Sequence, residues 1–461
     1  MNGTKDSIGC LPEEMQAYVL SKLDGKSAAV AKRVCKLWNE LVTGLETCMH
    51  FWLRCCLKEI PPYTMVELTR LMQLSGGREN TLVELATDWR TSLESKLPWM
   101  FWREVYAEFS RCRYIKHGVE KRIDLHFFPT HGDVTCLYVQ DNVIYSGHES
   151  GQVISWKNIE EDLHYHVLYK HHRRVTSIAG LDMVMTTKDI LNGMCGNKIV
   201  SSSMDTTLIV YNLETEKSTT IQHYSKQANY VRSWGNHFVA AANRSLIQGQ
   251  PIWRSVDQSN AETEILCTLY SQSAADITAV AFWEDTVLSG DEMGNLFLWT
   301  GCLGCGQEDK QDMAQVANIG CCIKSIYILG KRIVCYTSDG FLHVSRYKED
   351  YVFDKYDMYK CIFKTPECVV IHGSVLAIGC RSGFVYLYHL PSGRDWDTLD
   401  LATPTRVIQT SHDHINALVI GDIGDGPFVA IATEDYSITI VQYRRHGLDL
   451  PQNMCNGSVR K

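Results

Sequence analysis

The chain has 461 residues, 45% of them hydrophobic, and a formal net charge of -8. That length can bury large cores and implies two or more domains, while the acidic balance argues against nucleic acid or an acidic membrane as the main partner. No apolar run approaches the roughly 18 residues of a membrane span, the N-terminal MNGTKDSIGC lacks the basic-then-apolar order of a signal peptide, and the 18 cysteines are scattered, so a soluble chain of the cytoplasm or nucleus with reduced thiols is expected.

The first structured stretch runs from residue 8 to 56. In IGCLPEEMQAYVLSKLDGKSAAVAKRVCKLWNELV, Met15, Val19, Leu20 and Leu23 fall on one helical face and Val30, Val34, Leu37, Trp38 and Leu41 on another. This predicts two short amphipathic helices broken at Asp24-Gly25. Ser27 is expected to cap the second, and Pro12 to hold the first helical position, where its missing N–H is no loss. About fifty residues bury too little to stand alone, which points to a face completed by a partner. Leu11-Pro12-Glu13-Glu14, Val19-Leu20, Leu23-Asp24, Val34-Cys35, Trp38, Trp52 and Cys56 together resemble the F-box. That resemblance implies docking onto the Skp-type adaptor of SCF ubiquitin ligases, and through it onto cullin and a RING protein. Leu11, Pro12, Val19, Leu20, Val34 and Cys35 would be the adaptor contacts. Trp38 is expected to act as a pivot between helices, since an indole is seldom left on a surface.

Residues 57–113 read as further helix. Leu82, Leu85, Ala86, Trp89 and Leu93 recur at helical spacing, then Trp102, Val105, Tyr106 and Phe109, with interruptions at SGGREN (75–80) and Leu97-Pro98. The expected role is a rigid spacer.

From residue 114 the pattern changes to short strands. DITAVAFWEDTVLSGDEMGNLFLW, residues 276–299, reads as three strands joined by tight turns, and one such meander cannot bury its apolar face alone. Six further copies align with it, placing Leu137, Ile178, Val231, Val280, Ile326, Val369 and Leu418 in equivalent positions 41 to 53 residues apart. A period of about 40–45 residues, with strands ending in an aromatic (Trp156, Tyr211, Trp299, Tyr388), marks a seven-bladed β-propeller and resembles the WD repeat. The fold class is therefore α+β multidomain. An all-α F-box-like head (8–56) and helical linker (57–113) precede an all-β WD40-like propeller (114–446) and a polar tail (447–461). The alternating run RIDLHFF at 122–128 is expected to supply the outer strand that the last copy lacks, closing the ring.

Catalytic chemistry is not indicated. The chain has no phosphate-cradling glycine loop, nucleophile motif or positioned acid–base pair, so neither enzyme activity nor a cofactor is expected. Cys302-x-x-Cys305 lacks a second pair at metal-ligand spacing, and His171-His172, His164-x-His166 and His412-x-His414 read as turn histidines. Recognition by loops at the narrow face of the ring remains. There the second residue of each turn between second and third strands is Glu149, Met204, Arg244, Glu292, Ser338, Arg381 or Glu434. Near the start of each innermost strand stand Thr135, Thr176, Asn229, Thr278, Lys324, Glu367 and Asn416. An F-box ahead of a WD propeller resembles the F-box/WD substrate receptors, which implies a non-catalytic subunit presenting a protein for ubiquitylation. In related receptors that read phosphorylated segments, arginines occupy some of these positions, because a guanidinium fork matches phosphate bidentately. Arg244, Lys324 and Arg381, with Arg173 and Arg174 in the preceding loop, fit that pattern as substrate-binding residues. Glu149, Glu292 and Glu434 would repel a phosphate, which leaves phosphorylated and basic or mixed peptides both open. A scaffold outside any ligase is the other reading.

Overall fold

The computed structural model describes residues 11–61, 64–65, 68, 99–126, 129–140, 143–157, 164–181, 198–222, 227–234, 237–252, 262–270, 274–283, 286–299, 313–330, 332–346, 351–410, 414–422 and 424–445. The helical pattern at 82–93, SGGREN, Leu97-Pro98, Phe127-Phe128, the insertion at 182–197, Cys302, Cys305, His412 and the tail lie outside them.

The stretch read as two helices is three: α1 (Glu13–Leu20), α2 (Gly25–Ala31) and α3 (Lys36–Glu46), with α4 (Met49–Glu59) after them. The second expected helix divides because Cys35 is extended and becomes the residue from which α3 starts. The cap of α2 also differs from expectation. Asp24 Oδ1 accepts from the Ser27 amide at 2.6 Å, and that bond holds the carboxyl below its usual range. Pro12 occupies the cap before α1 instead of its first turn. Gly25 is required by space, since a Cβ there would stand 2.5 Å from the Tyr106 ring and 2.8 Å from Trp52.

The apolar sides of α1–α4 close on α5 (Trp99–Arg111), which contributes Trp102, Val105 and Tyr106 to one shared core. Tyr106 donates to Glu59 Oε2 at 2.6 Å and accepts from the Lys26 amide at 3.2 Å, so its hydroxyl is satisfied where burial is deepest. The linker helix thus finishes a core for which the short head alone supplies too few side chains.

Seven four-stranded antiparallel sheets form the ring. Their innermost strands are Val134–Gln140, Val175–Leu181, Ala228–Trp234, Ile277–Trp283, Ile323–Leu329, Pro366–His372 and Ile415–Asp422. Each contains one of the aligned apolar residues, the degenerate third copy included. Val119–His126 pairs with Ser437–Arg444, Val119 opposite Arg444 and His126 opposite Ser437. The strand before the first blade therefore completes the last and removes an open edge, as RIDLHFF predicts. Trp156 and Trp299 donate Nε1 to Ser146 and Ser289 Oγ, both at 2.8 Å and both ten residues back. This is why the third strand ends in an aromatic: the indole fills the sheet interior and its N–H finds a hydroxyl on the neighbouring strand.

The linker enters the ring without a break. Cys112 and, in α6 (Tyr114–His117), Ile115 are buried in the core of blades 6 and 7, and Arg406 Nε donates to Ile115 O at 2.9 Å. Arg111 Nε donates to Asp422 Oδ2 at 2.8 Å while its Nη2 reaches Glu104 Oε1 at 2.8 Å. His372 Nε2 lies 3.7 Å from Glu108 Oε1. Asp422 and His372 end their innermost strands, so the helices are mounted on the face opposite the strand starts.

Candidate functional site

On the helical head, burial separates residues that adjoin in sequence. Leu20 is 2% exposed and belongs to the core, which corrects its expectation as an adaptor contact: α1 turns it inward. Val19, one residue earlier, is 38% exposed, and Met15 (49%), Tyr18 (59%), Val30 (56%) and Val34 (60%) also stand in water. Pro12 and Cys35 are exposed and Leu11 is half-buried. Met15, Tyr18 and Val19 share one side of α1; Val30 lies in the last turn of α2, and Val34 four residues on, in the turn between α2 and α3. Met15 and Val30, four residues before Val19 and Val34, are exposed with them, which reading the i, i+4 neighbours would have shown. Trp38 is half-buried and donates Nε1 to Gln16 Oε1 at 2.8 Å, while Gln16 Nε2 donates to Leu11 O at 2.9 Å. The indole ties α3 to α1 and to the segment before it.

At the narrow face, the register of every innermost strand slips at one residue: Thr135, Thr176, Asn229, Thr278, Lys324, Glu367 or Asn416. Such a bulge leaves one residue out of the ladder and re-aims its side chain. Thr135, Thr176 and Thr278 use that freedom to clasp the next blade, donating to Val175 O at 2.6 Å, Ala228 O at 2.7 Å and Ile323 O at 2.6 Å. Lys324 and Glu367 make the corresponding clasp with charge, Nζ to Oε1 at 3.8 Å. The turns beside them are pinned by backbone. The amides of Glu149, Met204, Glu292, Ser338, Arg381 and Glu434 donate to carbonyls just before an innermost strand at 2.9 to 3.2 Å.

The five cations expected to bind substrate stand on different blades of the ring. Lys324 and Arg381 meet around Glu367, where Arg381 Nε lies 3.7 Å from Oε2. Arg173 and Arg174 are exposed in the loop between blades 1 and 2, and Arg244 is exposed on the turn of blade 3. Negative charge gathers where blade 7 meets blade 1. Burial and the neighbouring Glu149 and Glu434 push the Asp133 carboxyl up, against the pull of Arg174. His171 is a fastener: Nε2 meets Ser201 Oγ at 2.8 Å, Nδ1 meets Thr207 Oγ1 at 2.9 Å, and burial lowers its pKa to about 4. Among the described residues no three His, Cys, Asp or Glu side chains gather as a metal site, and no helix is long and apolar enough to cross a membrane.

The F-box domain family matches residues 8–49. Among solved structures, the WD40 β-propeller domain of Doa1 is similar with a TM-score of 0.50 at 12% identity, over 70% of this chain and 96% of that one. The β-propeller domain of Cps50 (Swd1) from Myceliophteria thermophila gives 0.51 at 13%, over 70% and 99%. The chain thus joins a match to the F-box domain to a seven-bladed β-propeller with the fold of WD40 structures. No curated protein matches the chain by sequence. Its F-box match ends at residue 49, so α4, with Trp52 and Cys56, is the wall against which the F-box helices and α5 pack.

Proposed function

We propose that this protein is the substrate-recognition subunit of an SCF-type ubiquitin ligase. The F-box docks the Skp-type adaptor, and through it cullin and the RING protein, while the narrow face of the propeller holds the protein client. The chain is a non-catalytic subunit: it raises the effective concentration of the client at a reaction that its partners perform. The observation that carries this reading is the set of five apolar side chains, Met15, Tyr18, Val19, Val30 and Val34, left in water on a helical head whose opposite side is sealed. Apolar surface grouped in this way marks a protein contact. The place of action is the cytoplasm, the nucleus or both, in keeping with free thiols such as Cys136 and Cys368, which burial pushes up to about 12.

The test is co-expression of the full chain with a Skp-type adaptor, cullin and RING protein. The wild type is expected to purify as a stoichiometric complex, and a Val19→Asp, Val30→Asp variant to purify alone with an unchanged melting temperature. Equal capture of both chains, or of neither, would end the ligase reading and leave a propeller scaffold.

A further inference from the structure

Among the described residues, the join between the outer strand of blade 5 and the innermost strand of blade 6 is where a helix crosses the narrow face. This is α7 (Met358–Ile362), started by Asp357, whose side chain accepts from the Lys360 amide at 3.0 Å. Met358 and Ile362 are buried beneath it, whereas Tyr359 and Phe363, one turn apart, are 58% and 79% exposed. Phe363 has φ +52°, the left-handed region where glycine is the usual choice and a bulky residue is strained. A side chain in water contributes little to folding, and here the backbone is strained to keep it there. Strain held at an exposed aromatic points to a use outside the fold.

The charges around the pair are unequal. Lys324, Lys355, Lys360, Lys364 and Arg381 stand on α7 and the elements joined to it, against Asp339, Asp357, Glu367 and Asp400, the last acting on Cys361 within α7. Asp339 is met by Lys355 at 3.9 Å, Asp357 by Lys360 at 3.3 Å, and Glu367 by both Lys324 and Arg381, while Asp400 accepts from the Ala402 amide and the Thr403 hydroxyl, both at 2.9 Å. Lys364 lies 4.8 Å from the centre of the Phe384 ring, and Lys355 3.7 Å from that of Phe341. Two outward aromatic rings thus sit where cations outnumber carboxylates by one, two joins round the ring from the acidic join of blades 7 and 1.

We infer that the Tyr359 and Phe363 edge of α7 is the client anchor, and that it takes an acidic segment. A large apolar side chain of the client lies against the two rings, and its neighbouring carboxylates or phosphates meet the surrounding lysines and Arg381. This rests on the narrow face being the client face and specifies what kind of client it holds.

The test pans the immobilised full chain against a displayed library of random peptides. The enriched sequences are expected to pair Phe, Trp, Leu or Met with Asp or Glu within a few residues. Phe363→Gly should weaken a synthetic peptide of the enriched sequence about tenfold or more. Glycine relieves the left-handed strain, so the variant should melt at the same or a higher temperature, which a side chain serving only the fold would not allow. Tyr359→Ser should weaken the same peptide. Replacing the peptide's Glu by phosphoserine distinguishes the source of charge: tighter binding assigns the site to phosphate, equal or weaker binding to carboxylates. Enrichment of basic or wholly polar sequences, no enrichment, or unchanged binding by Phe363→Gly would overturn the anchor. Adaptor capture is measured separately. Its loss in the wild type would remove the ligase reading while leaving the peptide result intact.

Discussion

Val34→Asp separates an adaptor surface from an internal one. Val34 is 60% exposed in the turn after α2, four residues on from Val30 at 56%. Full burial of a valine is worth about 1.5 to 2 kcal/mol, so covering what is exposed contributes roughly 1 kcal/mol to docking. An aspartate there loses that term and adds the desolvation of an unpaired carboxylate, for a total of about 3 kcal/mol or more. At 1.4 kcal/mol per tenfold, the dissociation constant should rise roughly 100-fold, and Val34→Ala should raise it about fivefold. Titration calorimetry of the purified full chain against the adaptor reads both values. Thermal melting should stay put, because exposed substitutions change stability by about 0.5 kcal/mol or less. Leu20→Ala is the contrast. At 2% exposure it should cost about 2 to 5 kcal/mol of stability and lower the melting temperature. Wild-type affinity in Val34→Asp, or equal destabilisation by both variants, would refute the assignment of the surface.

Three further outcomes test the ring and its mount. Burial holds His148, His171 and His343 at about 4 instead of the ordinary 6.5. The unfolded chain takes up protons first, so this contribution is intact above pH ~6.5 and is lost as pH falls through ~4, by roughly 2 kcal/mol per histidine at pH ~5. Calorimetry from pH 7 to pH 5 should show a falling melting temperature, and a flat one would contradict the burial. Thr135→Val, Thr176→Val and Thr278→Val each remove an inter-blade clasp worth about 1 kcal/mol, so the triple variant should lose roughly 3 kcal/mol in urea denaturation. Arg111→Met leaves the Asp422 carboxyl buried without its cation, at a cost of about 3 kcal/mol, and Asp422→Asn in the same chain should recover part of it. Limited proteolysis should then cut between the helices and the ring faster than in wild type; an unchanged rate would mean that the pair does not secure the mount.

The propeller was legible because its signal repeats. Even the third copy, YVRSWGNHFVAAANRSLIQG, kept its strand spacing, and RIDLHFF alternated as a strand with no partner nearby in sequence. The narrow-face positions could be named because a bulge falls at the same place in every blade, and Thr135, Thr176 and Thr278 recur there. Their clasping role was missed because the acceptor is a backbone carbonyl of the next blade, which carries no residue signature. Leu20 was misassigned for a related reason. Periodicity shows that α1 has an apolar side, but which part of it the head's core covers depends on residues well beyond it in the chain, Val42, Phe51 and Trp52 among them. Asp24 outcompeted Ser27 as the cap because the chain turns one residue before Gly25. Tyr359 and Phe363 carried no signal at all, since a helix of five residues between two blades reads as a connector.

The proposed client face and the helical mount lie at opposite ends of the same strands. Glu367 bulges near the start of Pro366–His372, where α7 and Arg381 stand, and His372 at its end faces Glu108 of α5. A seven-residue strand rises roughly 23 Å, so α7 stands about one strand length from the helical mount at the same blade. Force on the client passes along the innermost strand of blade 6 into α5 and so to the head. On the other branch, α6 leads directly into Val119–His126, the strand that closes blade 7. Pulling the head away would therefore peel the ring open at its closure, which couples the mount to the stability of the whole propeller. Sites separated by a rigid blade share no partners, so client-face and adaptor-face substitutions should add in free energy within about 0.5 kcal/mol.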